Sequence, residues 1–310
     1  MIPVVIIVSI IVFTIIMVLP GDPAMMMLGD AGTNDPSSYY ALRAQLGLDR
    51  PLPVQYLDWV SHVVRGDFGT SLRDHLPIGQ AIAERVAPTL ELAILALIIA
   101  IPLAITVGVI SALKPGSIAD MVATVFALSG VSFPSFFLGI LLIEILAVNL
   151  HWLAPSGYAP PWQDLGANLR LMIMPAITLA SVPTAVLMRH SRSALIEVLQ
   201  QEYMVTARAK GLPAQAVVIG HAMRNSLIPV VTIIGLETGS LIGGVVIIES
   251  IFSIPGMGRL LVDSITFRDY PTVQAMVLLL SLTVLIANLL ADLTYGVLDP
   301  RVRYGARSRA

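Results

Sequence analysis

Lys114 and Lys210 are the only lysines in the 310 residues, and neither follows a Gly-x-x-x-x-Gly run. A phosphate-cradling loop needs that run, because its backbone N–H groups must close around the phosphates while the lysine reaches them. The chain therefore has no such nucleotide site. The five histidines, His62, His75, His151, His190 and His221, are scattered. No His-Glu-x-x-His and no Gly-x-Ser-x-Gly occurs, so neither a zinc hydrolase nor a serine hydrolase is indicated. The absence of cysteine excludes disulfides, thiolate metal sites and cysteine-ligated clusters. No catalytic residue and no metal site is expected.

The chemistry that remains lies in carboxylates set inside apolar runs. Glu144, Glu237 and Asp292 are internal to such runs, while Glu91 and Glu249 stand near the ends of theirs. An acid at the centre of a spanning helix costs roughly 2.5–3.5 kcal/mol on insertion scales, so it faces protein or water. Two roles stay open for the internal acids. They line a pathway that favours a substrate amino group or cation, or they pair with polar groups such as Asn288 or Ser129. Glu91 and Glu249 are close enough to their ends to reach the interface.

The elements that must carry these acids follow from composition. Apolar residues make up 56% of the chain, charged residues 12%, and mean hydropathy is +0.85. A water-soluble domain of this size has no place for that much apolar surface; a bilayer does. A net charge of −2 offers nothing to nucleic acid. Crossing the hydrocarbon takes about 20 apolar residues in helix. Six segments qualify, at about 1–19, 89–113, 120–149, 171–191, 227–250 and 272–296. A signal peptide is the alternative for the first; its long apolar run, with no basic region before it and no convincing cleavage site before Pro20-Gly21-Asp22-Pro23, leads to the expectation of a retained span. With the amino terminus inside, the inner loops hold 10 basic residues in 55 positions and the outer loops 8 in 111. That asymmetry predicts both termini in the cytoplasm.

Two connections exceed what joining spans requires. In the outer segment 20–88, Tyr56, Trp59, Val60, Val63 and Val64 recur at helical spacing after a stop at Leu46–Pro51. They predict a short amphipathic helix, either on the outer membrane surface or packed on neighbouring loops. In the inner segment 189–225, a helix-compatible run from Ser193 to Lys210 stops at Gly211. Pro213 then suits the first turn of a second short helix reaching about Met223, with re-entry at Ile228-Pro229. The expectation is a bent protrusion that docks on a partner.

At this protrusion the chain resembles a known family. Glu202-Tyr203-Met204-Val205-Thr206-Ala207-Arg208-Ala209-Lys210-Gly211 looks like the EAA-type loop of ABC importer permeases. The span from Ala207 through His221-Ala222-Met223-Arg224-Asn225 to Pro229 is similar to the dipeptide, oligopeptide and nickel branch, which has the longer gap between glycine and proline. Leu19–Pro23, Gly66–Ser71, Pro88–Leu92, Ile251–Arg259, Arg268–Pro271 and Asp299–Arg303 also resemble that branch, in order and along nearly the whole chain. One departure is that Met1 opens directly on Ile2-Pro3-Val4 where the family carries a short basic lead; the expectation is a displaced or trimmed start, which bears on the anchoring of the first helix.

The resemblance implies an all-α membrane protein with the type I importer permease fold, the first of two homologous permease subunits. Residues 1–88 would hold the first transmembrane helix and a long periplasmic segment, 89–303 a five-helix core with its coupling loop at 189–225, and 304–310 a cytoplasmic tail. It implies a bacterial inner-membrane importer working by alternating access, with a second permease, two ABC ATPases and an extracytoplasmic binding protein as partners. ATP and Mg2+ would be bound by the ATPases, with no cofactor in this chain and dipeptides, oligopeptides or related small solutes as cargo. Glu202, Tyr203, Ala207, Arg208, Ala209, Lys210, Gly211, Leu212, Pro213, Arg224 and Asn225 would form the coupling surface. Ser132, Pro134, Glu144, Glu237 and Glu249 are the pathway candidates, Ser132-Phe133-Pro134-Ser135 as a kink in the third span. Gly239, Gly243 and Gly244 are expected at close helix approaches. An ion-gradient-driven transporter or channel is the alternative, although its paired inverted repeats with broken helices are not visible.

Overall fold

A computed structural model describes residues 2–18, 25, 36–45, 47–211 and 213–298. The described residues are helical apart from turns, loops and one isolated bridge between Thr70 and Pro77. In chain order the helices are α1 (Ile2–Val18), α2 (Pro36–Gln45), α3 (Leu52–Val64), α4 (Ile78–Leu113), α5 (Ile118–Ser132) and α6 (Ser135–Leu142). They continue with α7 (Leu165–Leu199), α8 (Glu202–Ala209), α9 (Met223–Ile251), α10 (Met257–Thr266) and α11 (Tyr270–Leu298). A π-helical turn, Ile143–Asn149, extends α6, and another, Val217–Ala222, leads into α9. The chain folds as two compact units, residues 1–87 with 256–282, and residues 88–255 with 283–310.

Among the described residues, four helices are long and apolar enough to cross a membrane: α4, α7, the continuous stretch Val217–Ile251, and Tyr270–Ala291 of α11. The pair α5 and α6 with its π turn makes a fifth span if it is counted as one, and it is bent by 104°. The expected kink at Ser132–Ser135 is thus a full break. Phe133 is in extended backbone and Pro134 caps the start of α6, because proline cannot continue the helix that precedes it. Of the expected first span the described residues give the 17-residue helix α1, at 1.5 Å per residue about 26 Å long. Four spans, or five with the bent pair, are counted among the described residues against the six expected. Helices α4 and α7 outrun their expected limits, with 36 and 35 residues, and project well beyond about 30 Å of hydrocarbon.

Helix α7 organises the second unit. Two thirds (67%) of its apolar stretch is buried, against 22% or less in the other spanning helices. It is also the least hydropathic of the four, because its inward positions are small or weakly polar: Ala176, Thr178, Ala180, Thr184 and Ala185. Such residues let backbones approach where lipid supplies no hydrophobic drive. Helix α4 meets it with a stripe at every fourth residue, Leu92, Ala96, Ala100, Ala104, Gly108 and Ala112, all buried. At Gly108 a side chain has no room, since a Cβ built there lies 2.8 Å from Ser191 Cβ and 2.9 Å from Met188 O. The opposite face of α4 presents Leu90, Ile94, Ile98 and Ile110 outward. Helices α5, α6 and α9 also pack on α7.

Close approach through glycine follows the expectation at two of three positions. A Cβ on Gly239 would lie 2.7 Å from Asn288 Oδ1, and one on Gly244 3.0 Å from Leu179 Cδ1. Among the described residues a Cβ on Gly243 would meet nothing within 4 Å.

In the first unit the predicted amphipathic helix is α3. It packs on α1: the Phe13 ring lies 5.6 Å from Tyr56 and 5.9 Å from Trp59, and the Tyr56 hydroxyl is 2.8 Å from Ser9 Oγ. Val64 is exposed. The Gly66–Ser71 and Arg268–Pro271 motifs, nearly 200 residues apart, meet here. Buried Asp269 accepts a hydrogen bond from the Leu72 N–H (3.0 Å) and from Thr272 Oγ1 (2.6 Å), while the Arg73 guanidinium stacks 3.6 Å above the Phe267 ring.

Candidate functional site

The predicted protrusion is built differently from its sequence reading in two respects. The run Ser193–Lys210 is not one helix: α7 ends at Leu199, Gln200 and Gln201 turn, and α8 starts afresh at Glu202. The second short helix has no separate existence. The turn Ala214–Ala216, the π turn Val217–Ala222 and α9 run on without a break, and Pro229 sits inside that helix. A proline within a membrane helix is tolerated where neighbours and local π geometry satisfy the freed carbonyls. The bent element is therefore α8 together with the turn that joins it to the stretch leading into α9.

That turn is at Gly211, whose φ of +75° lies in the left-handed region. Glycine takes this conformation without a Cβ penalty. Around it the coupling candidates are presented outward: Glu202, Tyr203, Ala209, Lys210, Gly211, Pro213, Arg224 and Asn225 are exposed. Two of them are brought together across the turn, with Asn225 Nδ2 donating to the Tyr203 hydroxyl at 3.0 Å. Ala207 faces inward, and Arg208 lies on α8. Leu212 lies outside the described residues.

Sequence reasoning overlooked what seats this element. Met204 is fully buried (0% exposed) among Ala112 of α4, Leu195 of α7, and Val217 and Ala222 of the π turn, with Ala207 one turn on packing against the same cluster. A partial signal was present, since Met204 and Ala207 stand three apart on one face of α8, although the apolar Val205 points outward. Met204→Ala removes about 2–5 kcal/mol of packing, the range for a buried methionine. The expected outcome is an inserted subunit in which α8 loosens; limited proteolysis at 200–211 becomes several-fold faster and ATP-driven uptake falls.

Also overlooked is a buried polar node at the same end of the bundle. Asp120, on the first turn of α5, receives Arg192 of α7 in a two-pronged pair: Nε to Oδ1 at 2.7 Å and Nη2 to Oδ2 at 2.9 Å. Ser111 Oγ of α4 donates to the same Oδ1, and the Gly116 N–H to Oδ2 at 2.8 Å. Ser117 caps α5, accepting from the Asp120 N–H at 3.2 Å. The sequence signal was a serine followed three residues later by an acid at a helix start.

At the opposite end, the acids near span ends turn inward rather than reaching an interface. Glu91 accepts from the Tyr158 hydroxyl (2.8 Å) and from Asn168 Nδ2 (2.6 Å), tying the 150–164 connection to α4 and α7. Burial, with Glu91 beside it, pushes the Tyr158 hydroxyl far above the ordinary phenol range and keeps it a donor. Glu249 is fully buried and accepts from Thr89 Oγ1 at 2.6 Å.

The remaining pathway candidates are dispersed. Ser132 and Pro134 are exposed at the break between α5 and α6. Glu144 is exposed on the π turn after α6, where Asn149 Nδ2 donates to its Oε1 at 3.1 Å. Glu237 is half-buried on α9, with Ser240 Oγ 3.4 Å from its Oε2. It stands twelve residues, about 18 Å of helix, from Glu249, so the two cannot serve one bound group within this chain.

These features define a class: a helical membrane subunit without a phosphate-cradling loop, with an outward-facing helix and turn seated on its core. Residues 104–304 match the family model for the binding-protein-dependent transport system inner membrane component, and residues 1–93 match the model for the N-terminal part of such membrane components. The chain belongs to this family, the permease subunits of binding-protein-dependent ABC importers, in its peptide and nickel branch. It is similar to the glutathione transport system permease protein GsiC of Escherichia coli strain K12, with 42% identity over 98% of this chain and 96% of that protein. The GsiC proteins of Salmonella typhimurium LT2 and Salmonella choleraesuis SC-B67 match to the same extent.

Proposed function

We propose that this chain is the first of two permease subunits in an importer of short peptides and peptide-like solutes such as glutathione, with α8 and the Gly211 turn as its contact with an ATPase. The carrying observation is the Met204 anchor: it seats an exposed helix and turn on α4, α7 and the lead into α9, so force applied there acts on three long helices together. A two-state pore needs about 5.5 kcal/mol of differential binding to pass from 1:99 to 99:1, and a chain without a fuel site can receive it only through such a surface. Relatives named for glutathione transport support peptide-like cargo.

In this reading the second permease completes the pathway, two ATPases bind ATP and Mg2+, a binding protein delivers the solute from outside, and both termini are cytoplasmic. The exposed Ser132, Pro134 and Glu144 and the half-buried Glu237 border the pathway on this subunit, and Glu249 braces α9 from within. If Glu237 meets cargo, Glu237→Gln lowers uptake of an amino-bearing peptide several-fold while leaving ATP hydrolysis intact. Equal uptake by the variant removes Glu237 from the pathway.

The experiment for the whole reading is reconstitution with the second permease, the ATPases and the binding protein, followed by uptake of glutathione, a dipeptide and a longer peptide. Uptake should require ATP and every subunit. Transport that persists without the ATPases supports a gradient-driven carrier instead. Because the sequence contains no cysteine, single introduced cysteines map each loop to one side of the membrane without background.

A further inference from the structure

We infer that the Asp120–Arg192 pair is a positioning element that makes α5, and with it the break at Ser132–Pro134, move together with α8. The inference rests on the coupling role proposed for α8. Arg192 lies on the last turns of α7 before Gln200 and Gln201 lead into α8, and Asp120 lies on the first turn of α5, twelve residues before Ser132. One carboxylate, 6% exposed, collects donors from α4 (Ser111), the 114–117 turn (Gly116) and α7 (Arg192). Next to it, Gly108 of α4 is pressed against Ser191 and Met188, which leaves the α4 and α7 backbones no room to slide. The Met204 cluster holds α8 to these same two helices through Ala112 and Leu195.

Stability alone does not account for such a pair. Asp120 is buried and Arg192 about a third exposed, and such a pair contributes little net stability; an apolar pair of similar volume commonly serves as well or better. What the guanidinium fork adds is a fixed angle and distance between two helices. Here it fixes α5, the helix leading to the break, to the helix that carries the coupling segment. Without it, α8 would still dock and still shift α7, while α5 would follow only through its apolar packing on α7 around Ala123, Ala127 and Gly130, which does not fix the register of the α5 start.

The test uses the full transporter in nanodiscs, with spin labels at Val122→Cys on α5 and Gln201→Cys beside α8, both exposed positions in a chain without other cysteines. Distances are measured nucleotide-free and after trapping with ATP and vanadate. In the parent the distance stays within about 2 Å between states, the size of ordinary helix adjustments. In Asp120→Leu/Arg192→Met, which removes both charges and so tolerates burial, the distance shifts or broadens by about a helical turn, ~5 Å, between states. Arg192→Lys keeps the charge but loses the fork, and shows a smaller shift; it carries the same test if the double variant does not assemble. Parent-like distances in both states in these variants overturn the inference, as does a parent in which the two labels already separate on trapping. A separate chain with Tyr203→Cys alone is cross-linked to the ATPase as a control. If that cross-link forms while the distances contradict, only the role of the pair fails. If it never forms, the coupling role of α8 fails, and the inference with it.

Discussion

Gly211→Val lowers ATP-driven uptake at least about tenfold while the subunit still reaches the membrane in parent amounts. The reason lies in the backbone. Gly211 holds φ at +75°, and a Cβ placed there meets nothing within 4 Å, so no clash is created. An L-residue in the left-handed region costs about 1–2 kcal/mol, most for a β-branched one. Relief comes by leaving that region, which re-aims α8 against the chain that continues from Pro213. A cost of that size depletes the docking-competent turn by roughly tenfold, and apparent affinity for the partner falls by the same fraction. Asparagine tolerates the left-handed region, so Gly211→Asn retains most of the activity. Paired uptake and membrane-content measurements on the two variants separate conformation from surface chemistry. Full uptake by Gly211→Val would show that the turn is dispensable and would end the coupling assignment built on it.

Gly235→Val gives the second large effect, and its signature is the opposite: the subunit itself is lost. A Cβ on Gly235 of α9 falls 2.4 Å from Ala291 Cβ and 3.0 Å from Ala291 Cα on α11. One of these atoms is backbone and the other is a methyl with no rotamer to change, so the helices must part. Overpacking a tight core costs about 1–3 kcal/mol per site, and between two spanning helices it also exposes the neighbouring contact at Gly239 and Asn288. The expected result is a marked fall in monodisperse protein after detergent extraction, with a lower melting midpoint. Gly235→Ala alone gives a smaller loss of the same kind, and adding Ala291→Gly recovers most of it because the summed volume is then unchanged. No recovery would mean that the approach of these helices is set elsewhere.

Much of this molecule was legible one residue at a time. An apolar fraction of 56% with few charges points to a lipid-embedded chain, and apolar runs of about 20 residues point to helices, which satisfy their own backbone hydrogen bonds. The break at Pro134, the turn at Gly211 and the amphipathic pattern around Tyr56 and Trp59 are local rules of proline, glycine and helical period, and each appears in the structure. The rest depends on partners distant in the chain. Nothing near Asp120 announces Arg192, 72 positions on, and nothing near Glu91 announces Tyr158 and Asn168. Hydropathy marks which residues avoid water but not which of them face lipid and which face helix, because both surroundings are apolar. Only the packing decides that α7, the least hydropathic of the long helices, lies at the centre of its unit, that Met204 is an anchor and not a contact surface, and that Gly235 is pressed against Ala291 while Gly243 meets no described residue within 4 Å.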